Sequence, residues 1–322
     1  MSSLSILVFK MSNQVFAHKS VLLEETVAYV LNDLSGVYVD CTLGGGGHSL
    51  ALGEKLQVGA LLVGIDQDVQ ALEAAEKCLS SLKCRRIFVQ GNFVELAKIL
   101  DNLAIEKVNG IIFDLGVSSY QLDTPERGFS YMQDGPLDMR MNAQSSLTAA
   151  AVLNNYSEEK LCEIIKKYGE ERWAKRIAQF IISDRQTKLF TRTFELVETI
   201  KKAIPKGARR DGPHPAKRVF QAIRIEVNKE LEILEEAFDT AVKMLAPEGR
   251  IGIITFHSLE DRIAKRTLSD LAKNCICPPN MPVCACKHRA VLKNIKSIKP
   301  DEIEINENPR ARSARLRTAT KI

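Results

Sequence analysis

Short apolar runs recur through the first third of the chain, each closing on a polar or glycine-rich turn. Residues 37–40, 60–66, 86–90 and 108–114 have the β-branched content and length of strands, and 69–77 and 95–100 have helical spacing between them. Strands alternating with short amphipathic helices predict a parallel sheet covered on both faces, with ligands bound beyond the strand carboxyl ends. Asp40, Asp66, Phe93 and Asp114 all fall at such ends, so four candidate contacts converge on one rim.

The alternation breaks at residue 122. From there to 215 the pattern is almost entirely helical: Ser157 precedes Leu161, Ile164, Ile165 and Tyr168, and the spacing repeats at Trp173, Ile177, Phe180 and Ile181. Trp173, the only tryptophan, reads as packing rather than base stacking. Val219, Ile223, Val227, Leu231, Leu234, Phe238, Ala241 and Leu245 then predict one long helix with a single buried stripe, leaving Gln221, Arg224 and Asn228 on other faces. A fifth strand, 250–255, delivers Phe256, His257 and Ser258 to the ligand-bearing rim. The tail alternates from Ser313 and predicts a last strand with arginines on one face. The implied organisation is a discontinuous α/β domain, 1–121 with 217–322, interrupted by an inserted all-helical domain, 122–216.

With 322 residues, 45% of them hydrophobic, the chain can bury a large core. Its net charge of +5 is modest, but nine Lys and Arg against two acids crowd residues 201–229. Arg209, Arg210, Lys217 and Arg218 sit there in a loop broken by proline and glycine, which suits phosphate binding or an ordinary solvated loop. Eight cysteines with no signal peptide argue against a disulfide framework and for a cytosolic protein. The apolar stretch 4–9 is too short to span a bilayer, and Met11 offers an alternative start. Cys275, Cys277, Cys284 and Cys286 form two close pairs flanking Pro278 and Pro279, which suits tetrahedral zinc or a surface loop of reduced thiols.

The strand 37–40 runs into four consecutive glycines, Gly44 to Gly47, and then His48. Glycine lets a backbone approach a ligand where any side chain would collide. Asp66, about twenty residues further on, suits a ribose-hydroxyl acceptor, though Asp66 or Asp68 also suits a helix cap. The glycines do not follow G-x-G-x-x-G, because Ser49 stands at the third position. An adenosine cofactor without a pyrophosphate fits better than a dinucleotide.

Several long motifs in order carry a resemblance. Phe16 to Leu23, Gly46-Gly47-His48-Ser49, Asp114 to Ser119, Glu126-Arg127-Gly128-Phe129-Ser130, Leu137 to Met141, Phe256 to Arg262 and Asn308 to Ser313 resemble the bacterial ribosomal RNA small-subunit methyltransferase H family, also called MraW. The resemblance covers residues 14–322 and implies a Rossmann-like class I methyltransferase fold. It also implies S-adenosylmethionine as cofactor and the exocyclic N4 of a decoding-site cytidine in 16S rRNA, within the small ribosomal subunit, as acceptor. It assigns cofactor contacts to Gly46, Gly47, His48, Asp66, Phe93, Asp114 and Gln121. Asp114 is then the acceptor for N4–H, with Ser118 or Ser119 adding to it; Arg224 and Asn228 suit substrate contacts or solvated and intradomain roles alike, and His257 or Ser258 suits the target base, with a structural place at the strand end the alternative for His257. The Pro-Pro that many amino-methyltransferases carry after strand four is absent, and Tyr120 stands near its place. The resemblance makes the insertion a small RNA-holding domain beside the cleft, and the tail an edge strand that brings Arg310 and Arg312 toward RNA. A nicotinamide oxidoreductase explains only the sheet, and a noncatalytic RNA-binding or ribosome-assembly protein only the basic loop and cysteines.

Overall fold

A computed structural model of the chain describes residues 20–209, 214–277, 281, 283–286 and 288–322. Seven strands build one sheet: β1 (Val37–Asp40), β2 (Leu61–Asp66), β3 (Arg85–Gln90), β4 (Val108–Asp114), β5 (Leu245–Thr255), β6 (Leu292–Ile298) and β7 (Arg315–Lys321). Their order is β3-β2-β1-β4-β5-β7-β6. The first five are parallel, and β7 enters antiparallel between β5 and β6. That reversal at one edge of a doubly wound sheet is the class I methyltransferase arrangement the motifs led us to expect.

Helices α1 (Leu23–Val30), α2 (Gly47–Gly53), α3 (Val69–Cys78) and α4 (Leu96–Asn102) fall among the first four strands. After β4 come α5 (Ser119–Asp123), α6 (Ala149–Asn155), α7 (Glu158–Gly169), α8 (Ala174–Thr187), α9 (Thr193–Ala203) and α10 (Lys217–Asn228). Then α11 (Leu234–Met244) leads to β5, α12 (Ser258–Leu271) follows it, and α13 (Glu302–Glu307) precedes β7. No described helix is long and apolar enough to cross a membrane.

Two expectations change. The stripe predicted as one helix over 219–245 is two helices, broken where Lys229 takes a left-handed φ of 54°. The periodicity runs through the break, but its halves serve different cores. Val219, Phe220, Ile223 and Val227 of α10 pack with α6–α9, whereas Leu234, Phe238 and Ala241 of α11 pack on the sheet. Apolar residues of α10 therefore belong to the helical core. The tail is not an edge strand either: β7 is buried, and β6 covers its outer side. β6, Leu-Lys-Asn-Ile-Lys-Ser-Ile, is mostly exposed and carries lysines, as an edge needs in order to resist pairing with another chain. Such a strand has too little apolar alternation to be read from sequence.

Phe238 is fully buried and meets Phe113 of β4 edge-on at 5.3 Å, and Phe113 meets Phe93 at 5.6 Å. This column seats α11 beneath the strand that carries Asp114. Phe238→Ala should cost about 3–5 kcal/mol in urea unfolding; a loss below about 1 kcal/mol would mean the column is not packed as described.

Candidate functional site

The carboxyl ends of β1, β2 and β4 each present an aspartate. Asp40 is buried, accepting from the Thr42 amide (3.2 Å) and the Ser49 hydroxyl (2.7 Å). Burial pushes its pKa up to about 6, against the opposing influence of His48 and Ser49. Asp66 spans two backbone turns, taking the Gly44 amide on one oxygen (2.8 Å) and the Asp68 amide on the other (2.9 Å). Burial raises its pKa too, and those amide bonds oppose the rise. Asp68, not Asp66, is the helix cap: it holds the Gln70 amide at 3.1 Å.

The four glycines divide their work. Gly44 and Gly46 take φ of 51° and 83°, the left-handed region that favours glycine. A Cβ on Gly46 would make only ordinary contact, 3.4 Å from Ala75 of α3 and from Leu79 just past it, so its backbone conformation is what asks for glycine. One on Gly47 would stand 2.1 Å from the Ser20 hydroxyl, so there the close approach asks for it. Only Gly45 of the four faces open space, with nothing within 4 Å of an added Cβ. The backbone most accessible to a ligand is thus Gly45, one residue before the pair expected from sequence.

His48 is buried in the first turn of α2, its Nε2 3.0 Å from the Val21 carbonyl. That contact makes Nε2 the protonated nitrogen and turns the bare Nδ1 toward Asp114 Oδ2, 3.5 Å away. Burial lowers its pKa, against the pull of Asp40. The ring is therefore anchored within the fold through Val21, packed beside Asp114, and does not open toward the cleft. Asp114 anchors its own amide on Thr42 Oγ1 at 2.5 Å, and its buried Oδ1 has no partner among the described residues. Burial, reinforced by the charge of Glu260, pushes the Asp114 pKa up to about 7, while the side chain remains 28% exposed. Among the described residues it is the one rim aspartate with an unpartnered side-chain oxygen.

Beyond it, Ser118 caps α5: its hydroxyl takes the Gln121 amide (3.2 Å) and the Gln121 side chain takes the Ser118 amide (3.1 Å). Gln121 also donates to Asp68 at 3.0 Å, so both residues shape the rim from within it. Ser119 begins α5, and Tyr120 beside it is 50% exposed. Phe93 packs edge-on against Phe113 and is only partly buried.

The β5 end contributes a second charged layer. His257 caps α12, its Nε2 3.1 Å from Glu260 Oε1, and Glu260 takes the Phe256 amide at 2.8 Å. Burial favours the neutral form of Glu260, yet His257 and Arg224 hold its pKa below the ordinary value. Arg224, only 15% exposed, makes a bidentate pair with Glu230 at 2.9 and 2.7 Å. Asn228 bridges the Met141 amide and Met139 carbonyl, both at 2.8 Å. Ser258 donates to Glu170 at 2.6 Å. Arg224 and Asn228 are thus engaged within the fold, although Asn228 also lines the cleft.

That cleft, about 460 Å³, opens beyond β2 and β3 between the sheet and the helical body, lined by Gln67, Gln90, Asn92, Asn142, Gln144 and Asn228. A neighbouring space of about 270 Å³ reaches Asp68 and Arg127. Neither is lined by Asp40, His48 or Asp114, but both reach Gln67, the residue after Asp66. None of the amide-bearing lining residues except Asn228 is a candidate on sequence grounds. Their signal is position alone: Gln67 directly follows Asp66, and Asn92 caps the turn after β3. Arg127 stands out in the sequence only as part of a motif; it holds Asp68 at 2.6 Å and the Arg140 and Met141 carbonyls, clamping the insertion to the sheet.

Arg209 has a buried Nε without a partner among the described residues, Lys217 is exposed, and Arg218 reaches the Glu170 carbonyl at 3.2 Å. Arg210 lies outside the described residues, as do Pro278, Pro279, both possible starts and Phe16 to Lys19 of the first motif. Arg310 pairs with Asp123 at 2.6 Å, and Arg312 is exposed. The four paired cysteines converge, their sulfurs within 4.8 Å of one another.

A model of the MraW methylase family matches residues 15–322. The chain belongs to that family. It is 51% identical to the Ribosomal RNA small subunit methyltransferase H of Halothermothrix orenii, over 95% of this chain and 98% of that one. Identity to the protein of the same name from Clostridium botulinum strain 657 is 53%, over 95% and 99%. A solved rRNA methylase from Streptococcus thermophilus is similar at 13% identity and a TM-score of 0.41, covering 92% of this chain and 93% of that one.

In this MraW-family chain the raised pKa of Asp114 has a stability consequence. Its folded pKa exceeds the unfolded one, so stability present in acid is lost as pH rises from the ordinary aspartate range through about 7. Asp114→Asn cannot ionise and escapes that loss. Between about pH 4 and pH 8 it should gain on the order of 1 kcal/mol over the native chain in urea unfolding, after allowance for partial exposure. A difference independent of pH would put the carboxyl back in its ordinary range.

Proposed function

We propose that this chain is an S-adenosylmethionine-dependent methyltransferase acting on the exocyclic N4 of a cytidine in 16S rRNA, in the small ribosomal subunit. The observation that carries the reading is Asp114: a strand-end carboxylate with one uncommitted oxygen, poised to ionise near neutrality. The family membership and the names of its relatives support the RNA substrate.

The residues present suit the cofactor. Three carboxylates on one rim favour a ligand bearing positive charge, as a sulfonium and an α-ammonium do, and would repel a pyrophosphate. Gly45 opens the backbone where the methionine end would lie, and the amide-lined cleft beyond β2 and β3 suits adenosine. S-adenosylmethionine supplies a methyl group on positively charged sulfur, and S-adenosylhomocysteine remains after transfer. Cytosine N4 shares its lone pair with the ring, so it is a weak nucleophile. Asp114 offsets this by orienting N4–H and accepting the proton that the methylated amine sheds. Glu260 keeps the carboxylate basic by disfavouring its charge. Because the base must reach a rim between two bodies, the target cytidine is single-stranded or flipped. Arg209, Arg210, Lys217 and Arg218 supply phosphate contacts on the helical side.

Small-subunit particles from a strain lacking this enzyme, incubated with the purified chain and labelled cofactor, should yield N4-methylcytidine by nucleoside mass spectrometry. Label in another nucleoside would overturn the N4 assignment, and no label the methyltransferase reading. Turnover should rise with pH through about 7 and then level off. Asp114→Asn should fall about 10²-fold or more and lose that rise; a variant at full rate would remove Asp114 from the chemistry. Neutralising the four basic residues together should weaken RNA binding and flatten its salt dependence, by roughly 0.7 in log–log slope for each phosphate no longer neutralised. An unaltered slope would place the RNA elsewhere.

A further inference from the structure

Between α12 and β6 the chain runs through residues 272–291 without a named helix or strand. A connection that long inside a compact domain needs something to hold it. At its base it is tied back: the His288 ring reaches the Asp270 carbonyl at 2.9 Å, the Ala290 amide donates to Asn274, and the Val291 amide donates to Leu271. Toward its tip stand Ile276, Met281 and Val283, all exposed, which supply no core of their own. What converges there instead is sulfur.

Cys275, Cys277, Cys284 and Cys286 bring their four sulfurs within 4.8 Å of one another. Cys284 and Cys286 are 3.6 Å apart, and Cys286 and Cys275 are 3.8 Å apart. Four thiolates at the usual zinc–sulfur distance on a tetrahedron are separated by about 3.8 Å. All four cysteines are free, and a disulfide would require sulfurs in covalent contact. The surrounding backbone is arranged for charge on sulfur. The Cys277 amide donates to Cys275 Sγ at 3.4 Å, and the amides of Ile276 and His288 hydrogen-bond to Cys286. Such N–H···S contacts partly neutralise metal-bound thiolates and orient them. Soft sulfur ligands in a closed set of four select zinc over magnesium or calcium, and leave no open position for a substrate.

We propose that these four cysteines hold one structural zinc ion that staples the connection between α12 and β6. The site lies outside the aspartate rim and takes no part in methyl transfer. Binding replaces four thiol protons by the metal, so zinc uptake releases protons and ties the loop to its folded form.

Protein purified under reducing conditions without chelator should contain one zinc per chain by elemental analysis, and Cys284→Ser/Cys286→Ser should lose it. Metal-free chain titrated with cobalt(II) should develop a thiolate charge-transfer band and the intense d–d bands of a tetrahedral site. Zinc in the native chain, lost in the variant, together with those bands supports the site. A native chain without zinc, a variant that keeps it, or cobalt spectra lacking the tetrahedral bands overturns it. So does recovery of the four cysteines as disulfides when the chain is alkylated without reduction. The cobalt spectrum uses the native sequence and decides the matter even if the double variant fails to fold.

Discussion

Desolvation of the aspartates at the ends of β1, β2 and β4 is the constraint around which this molecule is arranged. A carboxylate taken out of water must find hydrogen bonds or neutralise. Asp40 and Asp66 find them in the backbone of the turn after β1 and in Ser49, which is why that turn needs left-handed glycines and cannot relax into an ordinary connection. Asp114 finds only half of what it needs. Among the described residues its Oδ1 has no partner, and burial raises its pKa, a combination met at functional sites and in structural networks alike.

The helical body is joined to this rim by charge as much as by apolar packing. Arg127 reaches from the insertion to Asp68 on the sheet, Arg224 pairs with Glu230 across the break between α10 and α11, and Asn228 ties α10 to the Met139–Met141 segment. Buried pairs of this kind add little net stability over an apolar substitute, but breaking one leaves an uncompensated charge. Their effect here is positional: they fix how the helical layer stands over the strand ends, and so where the cleft opens.

Much of the sheet was legible because buried parallel strands are nearly continuous apolar runs, as at 61–66 and 108–114. The helical insertion was legible from its periodicity. Lys229 was not, because a stripe of apolar residues records that a face is buried and not which core buries it. β6 escaped notice for the opposite reason, an exposed edge having no buried face to record. Among site residues, the strand-end aspartates were legible from their place after apolar runs. The different demands on the glycines, and the anchoring of His48, Gln121 and Arg224 within the fold, depend on neighbours distant in sequence such as Val21, Asp68 and Glu230.

The sequence by itself determined the strand ends, the glycine turn, the basic stretch, the paired cysteines and, through its motifs, the family. Each is local, written in residue type and spacing. Only the tertiary structure decided that, among the described residues, Asp114 alone of the three aspartates has an unpartnered oxygen, that Gly45 rather than its neighbours faces outward, and that four sulfurs meet. Burial, hydrogen-bond partners and convergence are relations between segments far apart along the chain, and no local pattern encodes them.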